Sequence, residues 1–390
     1  MRIAYIAPYK GPTLAERRPV VNNLSLANTI KIELITQLLR SRSHELDIIS
    51  PGEVDDPRCR LYPAFFETKP FNPQISIHYS SALRIRFLGG LWSSVSTLRF
   101  FKKRHRIAPY DLVIIYNMKR AHITCAHYAN RSLGLPVILE YEDDSFVNVV
   151  GQAAGGFLTK FHHDAATGVL GIVSGGIAVS PHLLSQFSPH IPKLLLRGVV
   201  GDDIVTKSAR TNGDRKNWVL FSGTHTKSNG IDRLITAWGA AEISGWELHI
   251  TGHGQLTDEL KQLAAEIRGI VFHGLINRKE LVELLCSAKI CINPHALSKT
   301  PGNVFAFKII EYLGAGAHVI TTPMGTLEKE VESGITYMAD NSAATIAATI
   351  QHVIRTGRWE HTAARSVQAM YGSAAVADSL DALLQRVVKR

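Results

Sequence analysis

The sequence predicts an α/β protein built from two doubly wound domains. Three observations carry this. The 390 residues exceed what one core usually holds, and about 150 residues per domain suggests two. Short β-branched or aromatic runs alternate with longer segments of helical period, as in βα units around a parallel sheet. A polar stretch, Gly201 to Asn217, interrupts the pattern near the middle.

In the second half the predicted strands are Trp218 to Ser222, Glu247 to Thr251, Ile270 to His273, Ile290 to Asn293, His318 to Thr321 and Thr336 to Met338. Amphipathic helices are expected between them at Ile231 to Ile243, Leu256 to Ile267, Lys279 to Ser287, Val304 to Leu313 and Ala343 to Ile354. The first half repeats the theme with strands at Arg2 to Ala7, Glu45 to Ser50, Asp111 to Tyr116, Val137 to Glu142 and Gly176 to Ser180, and a helix at Leu24 to Leu39. The expected division is residues 1–205, 206–370, and a terminal helix at 371–390 returning to the first domain.

Composition bounds the function. Apolar residues at 45% and charged residues at 19% fit a soluble globular chain and exclude disorder or a fibre. The net charge of +10 and pI near 9.4 favour an anionic partner: nucleic acid, acidic lipid or a phosphorylated small molecule. Four scattered cysteines make neither a disulfide framework nor a C-x-x-C pair, which fits a cytoplasmic setting. The first eight residues read as a strand, not a signal peptide, and the longest uncharged stretch, Ala165 to Pro181, is too short and glycine-rich to span a bilayer.

In open parallel sheets ligands gather beyond the carboxyl ends of the strands. There lies Ser222-Gly223-Thr224-His225-Thr226-Lys227-Ser228-Asn229-Gly230, either a phosphate-meeting loop or a polar turn. Neither a P-loop nor a complete dinucleotide fingerprint occurs. Gly252 and Gly254 close the next strand, as a plain turn or to let backbone approach a ligand. The segment from Asn293 to Ile320 is the most informative. Asn303 can cap a nearly all-apolar helix whose amides at Val304 and Phe305 are free for an anion. Lys308 and Glu311, three residues apart, share a face of it. They are either an internal ion pair, or a phosphate cation and an acceptor of ribose hydroxyls.

Asn293-Pro294, the loop, the helix with Glu-Tyr-Leu-Gly-Ala-Gly and the following Val-Ile-Thr-Thr-Pro resemble the nucleotide-sugar signature of GT-B glycosyltransferases, specifically retaining family 4. The likeness covers residues 218 to 340, including Phe221-Ser222-Gly223, His249-Ile250-Thr251-Gly252-His253-Gly254 and Phe272-His273-Gly274. It implies two Rossmann-like domains facing across a cleft and a UDP- or GDP-sugar donor, with no cofactor or bound metal. The donor would meet Gly223, Thr224, Gly252, Gly254, Phe272, Asn303, Val304, Phe305 and Glu311, with Lys227 and Lys308 as phosphate cations. Lys10, Gly11 and Glu140 would lie on the acceptor side. The chain departs from the family at Asn303, where the first glutamate of Glu-x7-Glu is usual, at Thr224 and Asn229 in the diphosphate loop, and at Arg197-Gly198.

Glu140, Glu142, Asp143 and Asp144 crowd the end of one strand and repel unless they bind protons, cations or donors. Glu142 or Asp143 would orient or deprotonate an acceptor hydroxyl; the alternatives are a solvated acidic loop and a divalent-metal site, the latter disfavoured because no Asp-x-Asp occurs and the surrounding fold does not suit it. Leu83 to Arg106 carries seven basic residues and no acid, interleaved with Phe87, Leu88, Leu91, Trp92, Leu98, Phe100 and Phe101. This suits peripheral attachment to an anionic membrane, or simply a helix leading into the Asp111 strand; nucleic acid is disfavoured for want of a binding module. The resulting expectation is transfer of a sugar to a glycan or polyprenyl-linked acceptor in cell-surface polysaccharide synthesis. The rivals are a degenerate scaffold that binds nucleotide or glycan without turnover, and a nucleotide-sugar 2-epimerase.

Overall fold

The computed structural model describes residues 1–18, 26–52, 54, 60–69, 72–83, 89–142, 167–211, 215–297, 305–325, 327–360 and 363–389. The chain forms two compact units, Met1–Leu196 with Ala377–Arg390, and Arg197–Val376.

The N-terminal unit is built on β1 (Arg2–Ile6), β2 (Glu45–Ser50), β4 (Phe65–Lys69), β5 (Asn72–Tyr79), β7 (Leu112–Tyr116), β8 (Val137–Tyr141), β9 (Gly175–Ala178) and β10 (Lys193–Leu195). They form one sheet in the order β10-β9-β8-β7-β1-β2-β5-β4. All its pairings are parallel except β4 with β5. Ile3, Ala4, Tyr5 and Ile6 are fully buried, as are Leu112 and Val113, because both faces of a doubly wound sheet are covered. A second, two-stranded sheet pairs β3 (Leu61–Tyr62) with β6 (Ala82–Leu83). β3 to β6 were absent from the sequence reading.

The C-terminal unit contains β11 (Lys216–Ser222), β12 (Glu247–Thr251), β13 (Ile270–Gly274), β14 (Ala288–Asn293), β15 (His318–Thr321) and β16 (Ile335–Tyr337). All are parallel, in the order β13-β12-β11-β14-β15-β16. Helices Ile231–Ala241 and Ala343–Thr356 bring Leu234, Ile235, Trp238, Ile346 and Ile350 onto Val219, Phe221 and Ile250 to make the core. Termination signals act as chemistry dictates: Ser342 accepts from the Thr345 amide at the start of the second helix and Gly357 ends it in the left-handed region.

The polar stretch expected as a linker is instead largely a helix, Asp202–Thr211, belonging to the C-terminal unit. Its one buried residue is Ile204, and its charges find partners on helix Arg278–Ser287: Lys207 lies 2.5 Å from Glu283, and Asp203 2.8 Å from Arg278. The division between units accordingly falls at Leu196/Arg197, ahead of the expected 205/206. Within the terminal helix Ser373–Val388, Asp381 meets His44 at 2.8 Å and Asp378 meets Arg42 at 2.7 Å.

Candidate active site

In the C-terminal sheet the chain order reverses between β11 and β14, so the loops beyond Ser222 and Asn293 diverge at a topological switch point. Helix Lys308–Gly314 follows β14 and fixes this place. The buried Tyr312 hydroxyl donates to the Ser222 carbonyl and accepts from the Ser222 amide, both at 3.0 Å. Lys308 Nζ donates to the same carbonyl at 3.2 Å and lies 4.5 Å from the Phe221 ring centroid. Among the described residues no carboxylate forms an ion pair with it, and burial lowers its pKa to about 7. The Lys308 amine is thus held by a carbonyl and an aromatic face. Neighbouring His295 is pushed down by burial, and further by Lys308, against the bond it makes to the Ala296 carbonyl.

Glu311 does not pair with Lys308. Its Oε1 accepts from Arg278 Nη1 at 2.7 Å, while Arg278 grips Asp203 through Nε at 2.8 Å and Nη2 at 3.1 Å. Burial raises the Glu311 pKa and the Arg278 charge opposes that rise. Burial also acts upward on Asp203, but Arg278 outweighs it and the carboxyl is lowered overall. Nothing in the sequence pointed to Arg278, which opens its helix behind the Asn277–Glu280 capping box.

The expected helix start is corrected. The helix begins at Lys308, with Phe307 before it, so Phe305 does not supply a helix-terminal amide. Phe305 is buried outside the helix, its ring centroid 5.8 Å from the Arg197 guanidinium. Arg197, itself buried, pairs with Glu328 at 2.8 Å, and Tyr371 donates to the same carboxylate at 2.9 Å. Asn303 and Val304 lie outside the described residues.

Gly252 and Gly254 lie where two strand-end loops meet. A Cβ on Gly252 would run into the Gly223 carbonyl, and one on Gly254 would sit 2.5 Å from the His225 carbonyl. The glycines let two strand-end loops pack backbone against backbone, joined by Gly223 N to Thr251 O at 3.1 Å and His225 N to His253 O at 3.2 Å. His225 is buried between them, bonded to Thr257 at 3.0 Å and edge-on to Phe272, and burial lowers its pKa to about 4. Thr224 is exposed, and its carbonyl accepts from Asn229 at 2.6 Å. Lys227 is exposed on the single turn Lys227–Asn229. Loop and site thus place Lys308, Tyr312, Gly223 and Glu311 around the β11–β14 switch, with Phe272 supporting His225 instead.

In the N-terminal unit the crowded acids are resolved by a cation the sequence reading missed. Lys31 forms ion pairs with both Glu140, at 3.2 Å, and Glu142. Tyr5 donates to the other Glu140 oxygen, and burial, then Glu140, raise the Tyr5 pKa. Glu140 is fully buried, so it faces the core and not an acceptor. Glu142 keeps partial exposure, its amide donating to Asn117 Oδ1 at 2.7 Å; Asp143 and Asp144 lie outside the described residues. The Lys10 amide donates to Thr29 at 3.2 Å. Gly11 abuts Tyr9 and Tyr79, the hydroxyl of the latter donating to Glu67 at 2.7 Å.

Residues 216–356 match the family Glycosyl transferases group 1. Among solved structures, sucrose-phosphate synthase of Thermosynechococcus elongatus is similar at 17% identity and TM-score 0.70, covering 100% of this chain and 99% of that one. The catalytic domain of Arabidopsis thaliana starch synthase IV follows at 11% and 0.65, covering 100% of both chains. Anabaena HepE, in complex with UDP, matches at 14% and 0.62, covering 99% of this chain and 100% of that one. A search of curated proteins found no match. The C-terminal unit thus carries a Glycosyl transferases group 1 domain, and the chain as a whole shares the GT-B fold of two Rossmann-like domains with these glycosyltransferase structures.

Proposed function

We propose that the chain is a retaining, family 4-like enzyme that moves a sugar from a UDP- or GDP-sugar to a glycan or polyprenyl-linked acceptor in cell-surface polysaccharide synthesis. The observation that carries this reading is the Lys308–Gly314 helix at the β11–β14 switch point. It presents an ammonium without a carboxylate partner among the described residues and, three residues on, a carboxylate with one oxygen bonded to Arg278. A nucleoside diphosphate needs both: a cation for phosphate and an acceptor for ribose hydroxyls. The UDP in the HepE structure and the ADP in that of starch synthase IV support the same ligand class.

In this reading Lys308 and the exposed Lys227 stabilise the leaving diphosphate electrostatically without a bound metal, since charge developing on phosphate needs fixed cations. Glu142 and Asp143 keep the role of orienting the acceptor hydroxyl. The test is incubation of the full chain with UDP-glucose, UDP-galactose, UDP-N-acetylglucosamine and GDP-mannose, with oligosaccharide and polyprenyl-phosphate acceptors, followed by NMR of the products. An axial donor linkage retained in the product, with nucleoside diphosphate released, is the expected result. An epimerised sugar nucleotide would establish the epimerase reading, suggested by the similar UDP-GlcNAc 2-epimerase of Neisseria meningitidis, and binding without turnover would establish the degenerate scaffold.

A further inference from the structure

We propose that the exposed face of helix Gly89–Ile107 docks on an acidic lipid bilayer. The helix, GGLWSSVSTLRFFKKRHRI, contains no acid. It buries Ser94, Thr97 and Phe101 against its own unit and leaves Leu91, Val95, Arg99, Lys103, Arg106 and Ile107 exposed. Successive spacings of four from Leu91 to Ile107 make a slanting stripe about 24 Å long at 1.5 Å per residue. It turns about 40° per step, so that with Arg106 beside Lys103 the six residues fan over about 160° of the helix surface centred on Arg99. Beside the stripe a cavity of about 240 Å³ counts Trp92, Val95, Phe100, Arg99 and Lys103, together with serines, among its lining residues. The apolar surface continues onto β4, where Phe66 is 69% exposed and its ring lies 6.2 Å from His78, which is 5.0 Å from Phe100.

Two of the basic residues are already engaged. Arg104 lies 3.2 Å from Asp47, and the Lys102 ammonium sits 3.9 Å from the Tyr128 ring centroid. Arg84 and Arg86 lie outside the described residues. The docking charges are therefore Arg99, Lys103 and Arg106. Phosphate-rich surfaces attract such a row whatever their origin, but Leu91, Val95, Phe66 and Ile107 have no use against a polynucleotide and suit the acyl boundary of a bilayer. The attachment is peripheral: no helix among the described residues is long and apolar enough to cross a membrane.

The test is flotation of the full chain with vesicles of phosphatidylcholine alone, and of phosphatidylcholine with phosphatidylglycerol. The wild type floats with the acidic vesicles only, and rising salt releases it. The triple variant Arg99→Gln, Lys103→Gln, Arg106→Gln lowers partitioning on the order of 100-fold, about five-fold per charge near such a surface. Leu91→Ser with Val95→Ser and Ile107→Ser lowers it without removing charge. A charge-matched control in the other unit, Lys261→Gln, Arg268→Gln, Arg355→Gln, floats as the wild type. All nine positions are exposed or at the surface, and melting curves of each variant verify folding. Equal loss in the control, equal flotation with neutral vesicles, or retention of duplex RNA in place of vesicles overturns the proposal.

Discussion

Arg278 joins two carboxylates distant in sequence, binding Glu311 at 2.7 Å and Asp203 at 2.8 Å. Burial alone would drive Glu311 towards its neutral acid, and the guanidinium opposes this while fixing one carboxylate oxygen. Arg278 is thus a positioning residue for the group that meets ribose in the proposed site.

The Arg278→Met variant should therefore weaken UDP or GDP binding about ten-fold near neutral pH, the scale of one charge-assisted hydrogen bond. Without the guanidinium the Glu311 pKa rises further, so affinity should recover as pH increases and the carboxyl ionises. Calorimetric titration between mildly acidic and alkaline pH reads this. Arg278→Lys should recover only part of the affinity, because an ammonium cannot reproduce the fork. A loss equal at every pH would reduce Arg278 to a structural tie between helices.

Lys308 makes an opposite prediction for stability. Its pKa falls from 10.5 to about 7 in the folded chain because burial penalises the charged form. The unfolded chain then binds more protons between those values, so the destabilising contribution is full below pH 7 and relieved as pH rises towards 10.5. Lys308→Met should raise the melting temperature by about 2–4 °C per kcal/mol relieved at pH 6–7, and by little at alkaline pH. Thermal melts across that range check the sign.

At Gly252 the backbone is in the left-handed region, with φ at +126°, and a Cβ would meet the Gly223 carbonyl. Gly252→Ala should cost on the order of 3 kcal/mol and loosen the loop beside Lys308. Gly245, with φ at +74° but nothing near its Cβ, is the comparison: Gly245→Ala should cost about 1 kcal/mol from conformation alone. Urea unfolding of both variants separates the collision from the φ penalty.

The legibility of this fold follows from where its partners lie. β2, β12 and β15 match the expected bounds because buried, branched runs with polar flanks are local signals. β4, Phe65–Lys69, escaped because its polar residues and single antiparallel neighbour leave no such run. Helix Asp202–Thr211 looked like a linker since its charges are satisfied by Arg278 and Glu283, over 70 residues away. The run Val304 to Phe307 read as helix because it is apolar, yet Phe305 is buried beside Arg197 in non-helical backbone. At the site, Lys308 and Glu311 were visible as charges in an apolar segment. Arg278, Lys31 and the Arg197–Glu328 pair carried no local signal, because each owes its role to contacts across the fold.

The central claim, that a nucleoside diphosphate is held by Lys308 and Glu311, is tested most directly by calorimetric titration of UDP, GDP, uridine and guanosine into the wild type, Lys308→Ala, Lys227→Ala and Glu311→Gln. Either lysine variant should weaken the diphosphate while sparing the nucleoside. Glu311→Gln should weaken both, by about 10- to 100-fold for charge-assisted bonds of roughly 1.5–3 kcal/mol, with the melting temperature preserved. Unchanged nucleotide affinity in Glu311→Gln, with its melting temperature lowered instead, or equal losses for nucleoside and diphosphate in Lys308→Ala, would contradict the account.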